Sequence, residues 1–279
     1  MRARRATVVG LAIVVTLGVV AVAAPWLAPH DPAIIDPANA FAGPSAGHWL
    51  GTDNLGRDLL SRLLYGARWS LGLVLVATIF IMSAGVAVGV ASGYAGGLLD
   101  DVLMRIVDTL LSVPSLLLAL AIVGTLGPGL ESLMLGLASI WWVNYARVVR
   151  GLVLALRERA HVDAARALGA THVRIVARHI LPGILPSVTV LASLEMGELV
   201  LAISGLSFLG LGAQPPTPEW GAMLNDGRGY FFTAPQLLLL PGLAISVAVL
   251  GFNLLGDGLR DALDPVDAAR LKGVGSQAH

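Results

Sequence analysis

Six stretches of mainly apolar residues alternate with more polar segments along the 279-residue chain. An α-helix needs about 20 apolar residues to cross a hydrocarbon core of ~30 Å, and each stretch reaches or nearly reaches that length. The pattern therefore predicts six transmembrane helices, at about residues 7–28, 69–92, 102–125, 130–149, 183–212 and 237–256.

The composition agrees with a fold that is surrounded by lipid. Hydrophobic residues make up 56% of the chain and charged residues 13%, whereas roughly a quarter of the residues in an ordinary soluble domain are charged. A soluble domain needs a polar shell, and lipid removes that need. We therefore expect an all-α integral membrane protein. The formal net charge is zero, so no overall basic field points to nucleic acid.

The basic residues predict how the chain is oriented. Cytoplasmic loops of membrane proteins carry an excess of arginine and lysine. If the N-terminus lies inside, fourteen of the eighteen basic residues fall in inner segments and four in outer segments. Both termini are therefore predicted to be cytoplasmic.

The predicted helices and their orientation divide the chain into four segments. These are an N-terminal tail with the first helix (1–28), an extracytoplasmic segment (29–68), a core of five helices with an inner loop at about 150–182 (69–265), and a cytoplasmic tail (266–279). A cleaved signal peptide is the alternative interpretation of the first stretch, which follows a charged start. Its apolar run is longer than the usual 7–15 residues of a signal peptide, and this favours a retained anchor.

The outer segment ends in an amphipathic stretch. Residues 57–68 place leucines and an alanine at helical spacing, with charges on the opposite face. Two interpretations remain open at this point. The stretch is either a helix that lies at the outer membrane interface or a helical extension of the second span.

The inner loop between the fourth and fifth predicted helices is long, basic and rich in alanine. Ala164, Ala165 and the two residues 167–168 form a small, smooth helical face, and Gly169 allows a sharp turn before a second helical stretch that leads to Pro182. A short helix-turn-helix of this kind suits docking into a groove of another protein. The positive-inside rule explains the arginines but neither the alanines nor the glycine, so docking is the favoured interpretation.

Motifs for catalysis and for cofactor binding are missing from the sequence. There is no Gly-x-x-x-x-Gly-Lys-Ser/Thr phosphate loop, and the one Gly-x-Ser-x-Gly match, at residues 43–47, lies in the proline-rich outer segment rather than at a strand-to-helix turn. The chain has no cysteine, and its six histidines lie outside the predicted spans or at their edges, which disfavours a histidine metal site within the bilayer. We expect no catalytic residue, no bound cofactor and no metal in this chain.

One pair of acidic residues falls well inside a predicted span. Glu195 and Glu198 are three residues apart, hence on one face of the fifth helix, and Glu195 lies past the middle of the membrane. Ionisable groups at such depth are costly and usually face a cavity or a partner. Two interpretations remain open: the pair lines a transport pathway, where it can meet an amino terminus or a cation, or it hydrogen-bonds to a neighbouring helix.

Two further patterns predict packing. Asp108 follows Arg105 by three residues, which favours a local ion pair over a role in transport. Gly85, Gly89 and Gly93 form a ridge of small residues on the second helix, suited to close approach of another helix. The ridge can serve a contact within the chain or one with a partner subunit, and we favour the internal contact.

Four motifs together resemble one family of transporters. In the inner loop, the run from Asp163 through Gly169 to Leu181 and Pro182 resembles the "EAA" loop of permeases of ATP-binding-cassette (ABC) importers. Three more motifs narrow the resemblance to the C-type permease subunit of the dipeptide/oligopeptide/nickel importers: residues 50–58 (LGTDNLGRD), 206–216 (LSFLGLGAQPP) and 253–265 (NLLGDGLRDALDP). This chain departs from the loop pattern in having Asp163 in place of the usual glutamate and His179 in the slot of an isoleucine.

The resemblance implies a type I ABC importer permease fold in a bacterial cytoplasmic membrane. It implies a heterodimer with a B-type permease, two cytoplasmic ATPase subunits that bind ATP and Mg²⁺, and an extracytoplasmic substrate-binding protein. The residues that would couple ATP binding to the helices are those of the loop: Asp163, Ala164, Ala165, Arg166, Gly169, Leu181 and Pro182.

The expected function is ATP-driven import of di- or oligopeptides. One alternative keeps this architecture and changes the cargo to nickel or another small solute, and the lack of an intramembrane histidine or thiolate cluster leans mildly toward peptides. Two alternatives of another class are a stand-alone secondary transporter and a membrane scaffold without transport activity. The basic, alanine-rich inner loop argues against the secondary transporter.

Overall fold

The computed structural model describes residues 2–263, and almost all of that length is helical. The predicted tail at 266–279, with the end of the last motif at 264–265, lies outside the described residues. Within residues 2–263 ten α-helices follow one another: α1 (Arg2–Leu27), α2 (Leu59–Ala95), α3 (Gly97–Leu111), α4 (Ser115–Leu126), α5 (Leu130–Arg157), α6 (Ala160–Ala167), α7 (His172–Ile175), α8 (Leu181–Phe208), α9 (Trp220–Gly227) and α10 (Gln236–Leu263).

The long helices pack side by side around a shared apolar core. The closest neighbours are α2 with α5, α1 with α10, and α10 with α8. The short helices α6, α7 and α9 lie in the connections between the long ones. This arrangement confirms the expected all-α architecture.

The helix α2 settles the open question about the outer segment. It begins at Leu59, directly after the capping residue Asp58, and runs without a break for 37 residues. At 1.5 Å per residue it is about 55 Å long, well beyond the thickness of a hydrocarbon core. The amphipathic stretch is therefore the first part of α2 and not a separate interfacial helix.

The third predicted span is not one straight helix. The structure divides it into α3 and α4, which meet at an angle of 84°. Pro114 stands at the break; it has no N–H to donate, and it disfavours helical geometry in the residue before it. The single span predicted at 102–125 is therefore corrected to a bent pair of helices.

The structure supports four or five of the six predicted spans by length and apolarity. In the part of the chain that the structure describes, four helices are long and apolar enough to cross a membrane, and the bent pair α3 and α4 would make a fifth. Helix α5, at 28 residues, is long enough to cross a membrane, but it is more polar than those four helices. Six spans and cytoplasmic termini stay predictions.

The glycine ridge of α2 makes an internal contact. A Cβ atom built on Gly89 would lie 2.6 Å from the carbonyl oxygen of Ala146 and 2.7 Å from Cβ of Val149, and Gly85 and Gly93 face α5 in the same way. The backbones of α2 and α5 therefore approach each other closely along this ridge, as interfaces of small residues allow. The internal alternative is the correct one.

Candidate functional site

The inner loop folds into the predicted helix-turn-helix, which we call the elbow (residues 158–180). Its first helix, α6, ends at Ala167 and is capped by Leu168. Gly169 follows with a φ of +78°, a conformation that glycine adopts without strain. The N–H groups of Gly169 and Ala170 donate to the carbonyls of Arg166 and Ala165, which closes the helix end. Thr171 then caps the second helix, α7.

The elbow is attached to the helices while one surface of it stays uncovered. Val162 and Ile175 are fully buried and hold the two short helices to the core. The hydroxyl of Tyr94, at the end of α2, lies 2.9 Å from Nδ1 of His172. In contrast, Leu168 is 89% exposed and Val173 78% exposed. Apolar side chains this exposed on a fixed surface favour a partner protein at this place.

The structure brings the sequence-predicted coupling residues together on the elbow and at its exit. Asp163 and Arg166 form an exposed ion pair of 2.8 Å on α6. Ala164 and Gly169 are exposed and Ala165 is half-buried. Two more of the predicted residues open α8, where Leu181 is half-buried and Pro182 is exposed.

The two glutamates of α8 lie in different environments. Glu195 is buried, and its carboxylate lies near the hydroxyl of Tyr145 on α5. One oxygen of Glu195 and the hydroxyl of Tyr145 are both buried, and neither has a hydrogen-bond partner among the described residues. Glu198, one turn further on, is exposed. The pair therefore shares a helix, but only Glu198 is accessible in the isolated chain.

Two ion pairs tie α3 to α5 near the elbow. Asp100 accepts two hydrogen bonds of 2.6 Å from the guanidinium of Arg150 and another from the hydroxyl of Ser92. Asp108 pairs with Arg147 of α5. The predicted pair of Asp108 with Arg105 is therefore wrong, because α5 presents an arginine directly opposite the aspartate.

Sequence reasoning missed a buried charge network in the segment predicted to lie outside. The first outer motif contributes Asp53 and Arg57, whose Oδ2 and Nε atoms are 2.6 Å apart. Arg57 and Arg62 also reach Asp226, after more than 160 residues of chain, at 3.1 and 3.2 Å. The spacing of Asp53 and Arg57 was a signal for the first contact, and no local pattern pointed to Asp226.

A second set of contacts fixes α9 to α2. Glu219 caps α9 by accepting hydrogen bonds from the N–H groups of Gly221 and Ala222, each 2.9 Å long, and one of 3.0 Å from the hydroxyl of Ser70. Burial raises the pKa of the Glu219 carboxyl above its ordinary value, against the lowering effect of these hydrogen bonds. The ring of Trp220 is buried beside them and donates to the carbonyl of Leu63.

Comparisons with known proteins agree with these features. Residues 85–266 match the family "Binding-protein-dependent transport system inner membrane component", and residues 1–44 match the "N-terminal TM domain of oligopeptide transport permease C". The solved structure of the MetNI methionine ABC transporter contains a similar chain, with a TM-score of 0.58 at 20% identity, covering 74% of this chain and 98% of that one. This likeness supports the fold.

Three relatives are similar over nearly the whole chain. The nickel transport system permease protein NikC of Escherichia coli strain K12 is 44% identical, covering 91% of this chain and 92% of its own. The dipeptide transport system permease protein DppC of Alkalihalophilus pseudofirmus is 43% identical, covering 95% and 87%. The glutathione transport system permease protein GsiD of Escherichia coli O6:K15:H31 is 46% identical, covering 90% and 84%.

Proposed function

We propose that this chain imports short peptides, since it belongs to the family of binding-protein-dependent transport system inner membrane components. It is thus a multi-pass permease subunit of an ABC importer. Two of the three relatives described above are named for peptide cargo, a dipeptide and glutathione, and the third is named for nickel. Nickel is therefore the second candidate cargo.

Residue chemistry supports peptides over nickel. Imidazole and thiolate groups are the usual protein ligands of nickel and similar metals. The chain has no cysteine, and its histidines lie outside the predicted spans. The exposed carboxylate of Glu198, by contrast, suits the ammonium group of a peptide. We propose that Glu198 lines the pathway and that Glu195, against Tyr145, supports the helix behind it.

The observation that carries the proposed mechanism is the exposed apolar surface of the elbow. We propose that α6, with Asp163, Ala164, Ala165 and Arg166, docks into an ATPase subunit, and that Gly169 lets the chain turn away from it. Leu181 and Pro182 would then pass the motion of the ATPases into α8. ATP and Mg²⁺ would bind to those partner subunits, since this chain lacks a phosphate loop. A B-type permease and a substrate-binding protein would complete the importer.

The same proposal needs the elbow to lie in the cytosol. The arginine distribution supports this, because seven arginines fall between Arg147 and Arg178. We therefore propose six spans, with α3 and α4 acting as one bent span and α5 as another. Both termini would then be cytoplasmic.

Reconstitution of the complete importer tests the function. The chain is co-expressed with the proposed B-type permease, ATPase subunits and substrate-binding protein, purified in mild detergent and placed in proteoliposomes. We expect two ATPase subunits to co-purify, and peptide-loaded binding protein to stimulate ATP hydrolysis and peptide uptake. Stimulation by Ni²⁺ but not by di- or tripeptides would establish the nickel alternative. Transport without any ATPase would indicate a secondary transporter, and assembly without transport would indicate a scaffold.

A further inference from the structure

Three side chains from separate parts of the outer segment meet at the start of α2. His30 follows the end of α1, His48 lies in the loop that precedes the first outer motif, and Asp58 is the capping residue of α2. One nitrogen of each imidazole and one oxygen of the carboxylate all lie within 4.8 Å of one another. Among the described residues this is the one group of three or more histidine, aspartate or glutamate side chains with such convergence.

The geometry is close to that of a coordinated ion. Nδ1 of His48 is 2.9 Å from Oδ1 of Asp58, and Nδ1 of His30 is 3.8 Å from the same oxygen. Ligands bound to one Zn²⁺ ion at about 2.0–2.1 Å are separated by roughly 3–4 Å. The two rings stack at a tilt of 34°, with centroids 4.8 Å apart.

The surroundings hold the ligands in place and leave one side open. The side chain of Asp58 is fully buried, and its second oxygen accepts a hydrogen bond of 2.8 Å from the N–H of Ser61. That leaves the first oxygen for the imidazoles. The N–H of His30 donates to the hydroxyl of Ser61 at 3.1 Å, which positions this histidine from its backbone. The His30 ring is 43% exposed, so an ion can enter and keep a water ligand.

The imidazoles of both histidines face the same oxygen of the Asp58 carboxylate. A charged carboxylate with two imidazoles is a ligand set for borderline metals such as Zn²⁺, Co²⁺ or Ni²⁺, whereas Ca²⁺ and Mg²⁺ prefer oxygen ligands alone.

We propose that His30, His48 and Asp58 form a binding site for one divalent transition-metal ion, which joins the end of α1 to the start of α2 on the outer face. The site is separate from the pathway proposed for the cargo, because its ligands belong to the outer segment and to the cap of α2, whereas the proposed pathway residue Glu198 belongs to α8. An ion bound here stabilises the fold of the outer segment, since a metal that binds only the native state adds its binding free energy to stability.

The test measures metal binding by the purified importer complex, carrying an affinity tag without histidine and stripped with a chelator, in the absence of ATP and of binding protein. Co²⁺ is titrated by visible absorption and Zn²⁺ by calorimetry. We expect one high-affinity ion per copy of this chain and a rise in the melting temperature. His30→Asn and His48→Asn are each expected to weaken binding at least tenfold, because loss of even an outer-shell partner of a ligand typically costs about 10- to 100-fold in affinity.

A matched control uses the second histidine pair of the chain. His161 and His179 on the elbow have ring centroids 6.0 Å apart but belong to no such cluster of ligands among the residues that the structure describes. His161→Asn should therefore leave the high-affinity ion in place. Asp58→Asn supplies a variant that keeps the cap of α2, because asparagine caps helices as well as aspartate does. Binding that is absent from the wild type, or equal in the wild type and the His30 and His48 variants, overturns the proposal, as does equal loss in His161→Asn.

Discussion

Asp100, in the first turn of α3, and Arg150 of α5 are joined by two parallel hydrogen bonds of 2.6 Å each. This fork of an arginine on a carboxylate fixes the turn between α2 and α3 to the helix that leads into the elbow. Two-bonded pairs of this kind are stronger and better oriented than single contacts. The contact therefore fixes the position of α5, the helix that leads directly into the proposed docking surface on the elbow.

We predict that Arg150→Gln destabilises the chain, while Arg147→Gln does so much less. Loss of the Arg150 fork should cost about 1–2 kcal/mol, because Asp100 is left buried with fewer partners. The ion pair of Arg147 with Asp108 is exposed at both ends, and such pairs are worth roughly 0–1 kcal/mol. Thermal unfolding in detergent measures both variants. Equal shifts in melting temperature would show that the fork has no special role.

The ridge of glycines on α2 gives a second prediction. Gly89→Ala is expected to lower stability by about 1–3 kcal/mol, the usual effect of overpacking a helix contact, because its Cβ has no room against α5. Gly72→Ala is the matched control on the same helix, with nothing within 4 Å of its Cβ. The control should be neutral, or more stable by up to about 1 kcal/mol, since alanine favours helix. A destabilised Gly72→Ala would undermine the packing argument.

The sequence predicted most helices of the fold because helices that cross a membrane are long, apolar runs that can be seen in the sequence itself. It also predicted the elbow, since alanines and a placed glycine are local signals. The break at Pro114 was readable from the proline, but the apolar run on either side of it concealed the bend. The pattern placed Arg57 and Arg62 on the charged face of an amphipathic stretch and gave no sign of their burial, because their partner Asp226 is distant in sequence. Pairing over such distances is decided by the packing of helices, which local patterns do not contain.

Glu219 predicts a specific dependence of stability on pH. Because burial raises the native pKa of this carboxyl, its favourable contribution is complete below the unfolded value of about 4.3 and is lost as pH rises through the native pKa. Glu219→Gln removes this titration, so the difference in melting temperature between wild type and variant should change with pH in that window.

Ser70→Ala offers a check on the same carboxyl. It removes a hydrogen bond that stabilises the charged form, which should raise the native pKa further and extend the window to higher pH. Melting curves between pH 4 and pH 9 compare the three proteins. Profiles that stay parallel for all three would show that Glu219 does not titrate differently in the native state.

The two glutamates of α8 are predicted to differ in transport. Glu198→Gln should lower peptide uptake roughly tenfold, since a charge-assisted hydrogen bond to the peptide is worth about 1.5–3 kcal/mol. Glu195→Gln, one turn away and buried against Tyr145, should keep uptake near that of the wild type. Uptake into proteoliposomes is measured for both after assembly has been verified by co-purification. Unchanged uptake in Glu198→Gln would remove this residue from the pathway.

The exposed elbow gives the sharpest test of coupling. Leu168 is held at the end of α6, with most of its side chain uncovered, and burial of a leucine in an interface contributes about 1.5–3 kcal/mol. Leu168→Asp replaces this contribution with the cost of burying a charge, so the affinity for the ATPase subunits should fall at least about tenfold.

Phe232→Asp is the control: Phe232 is equally exposed but lies beyond the far end of α8, away from the elbow. The measurement is the amount of ATPase retained during purification, together with binding-protein-stimulated ATP hydrolysis. Because Leu168 contributes little to the core of the chain itself, the variant should still fold, which a normal melting temperature would verify. A folded Leu168→Asp that retains and stimulates its ATPases as the wild type does would mean that the docking surface lies elsewhere.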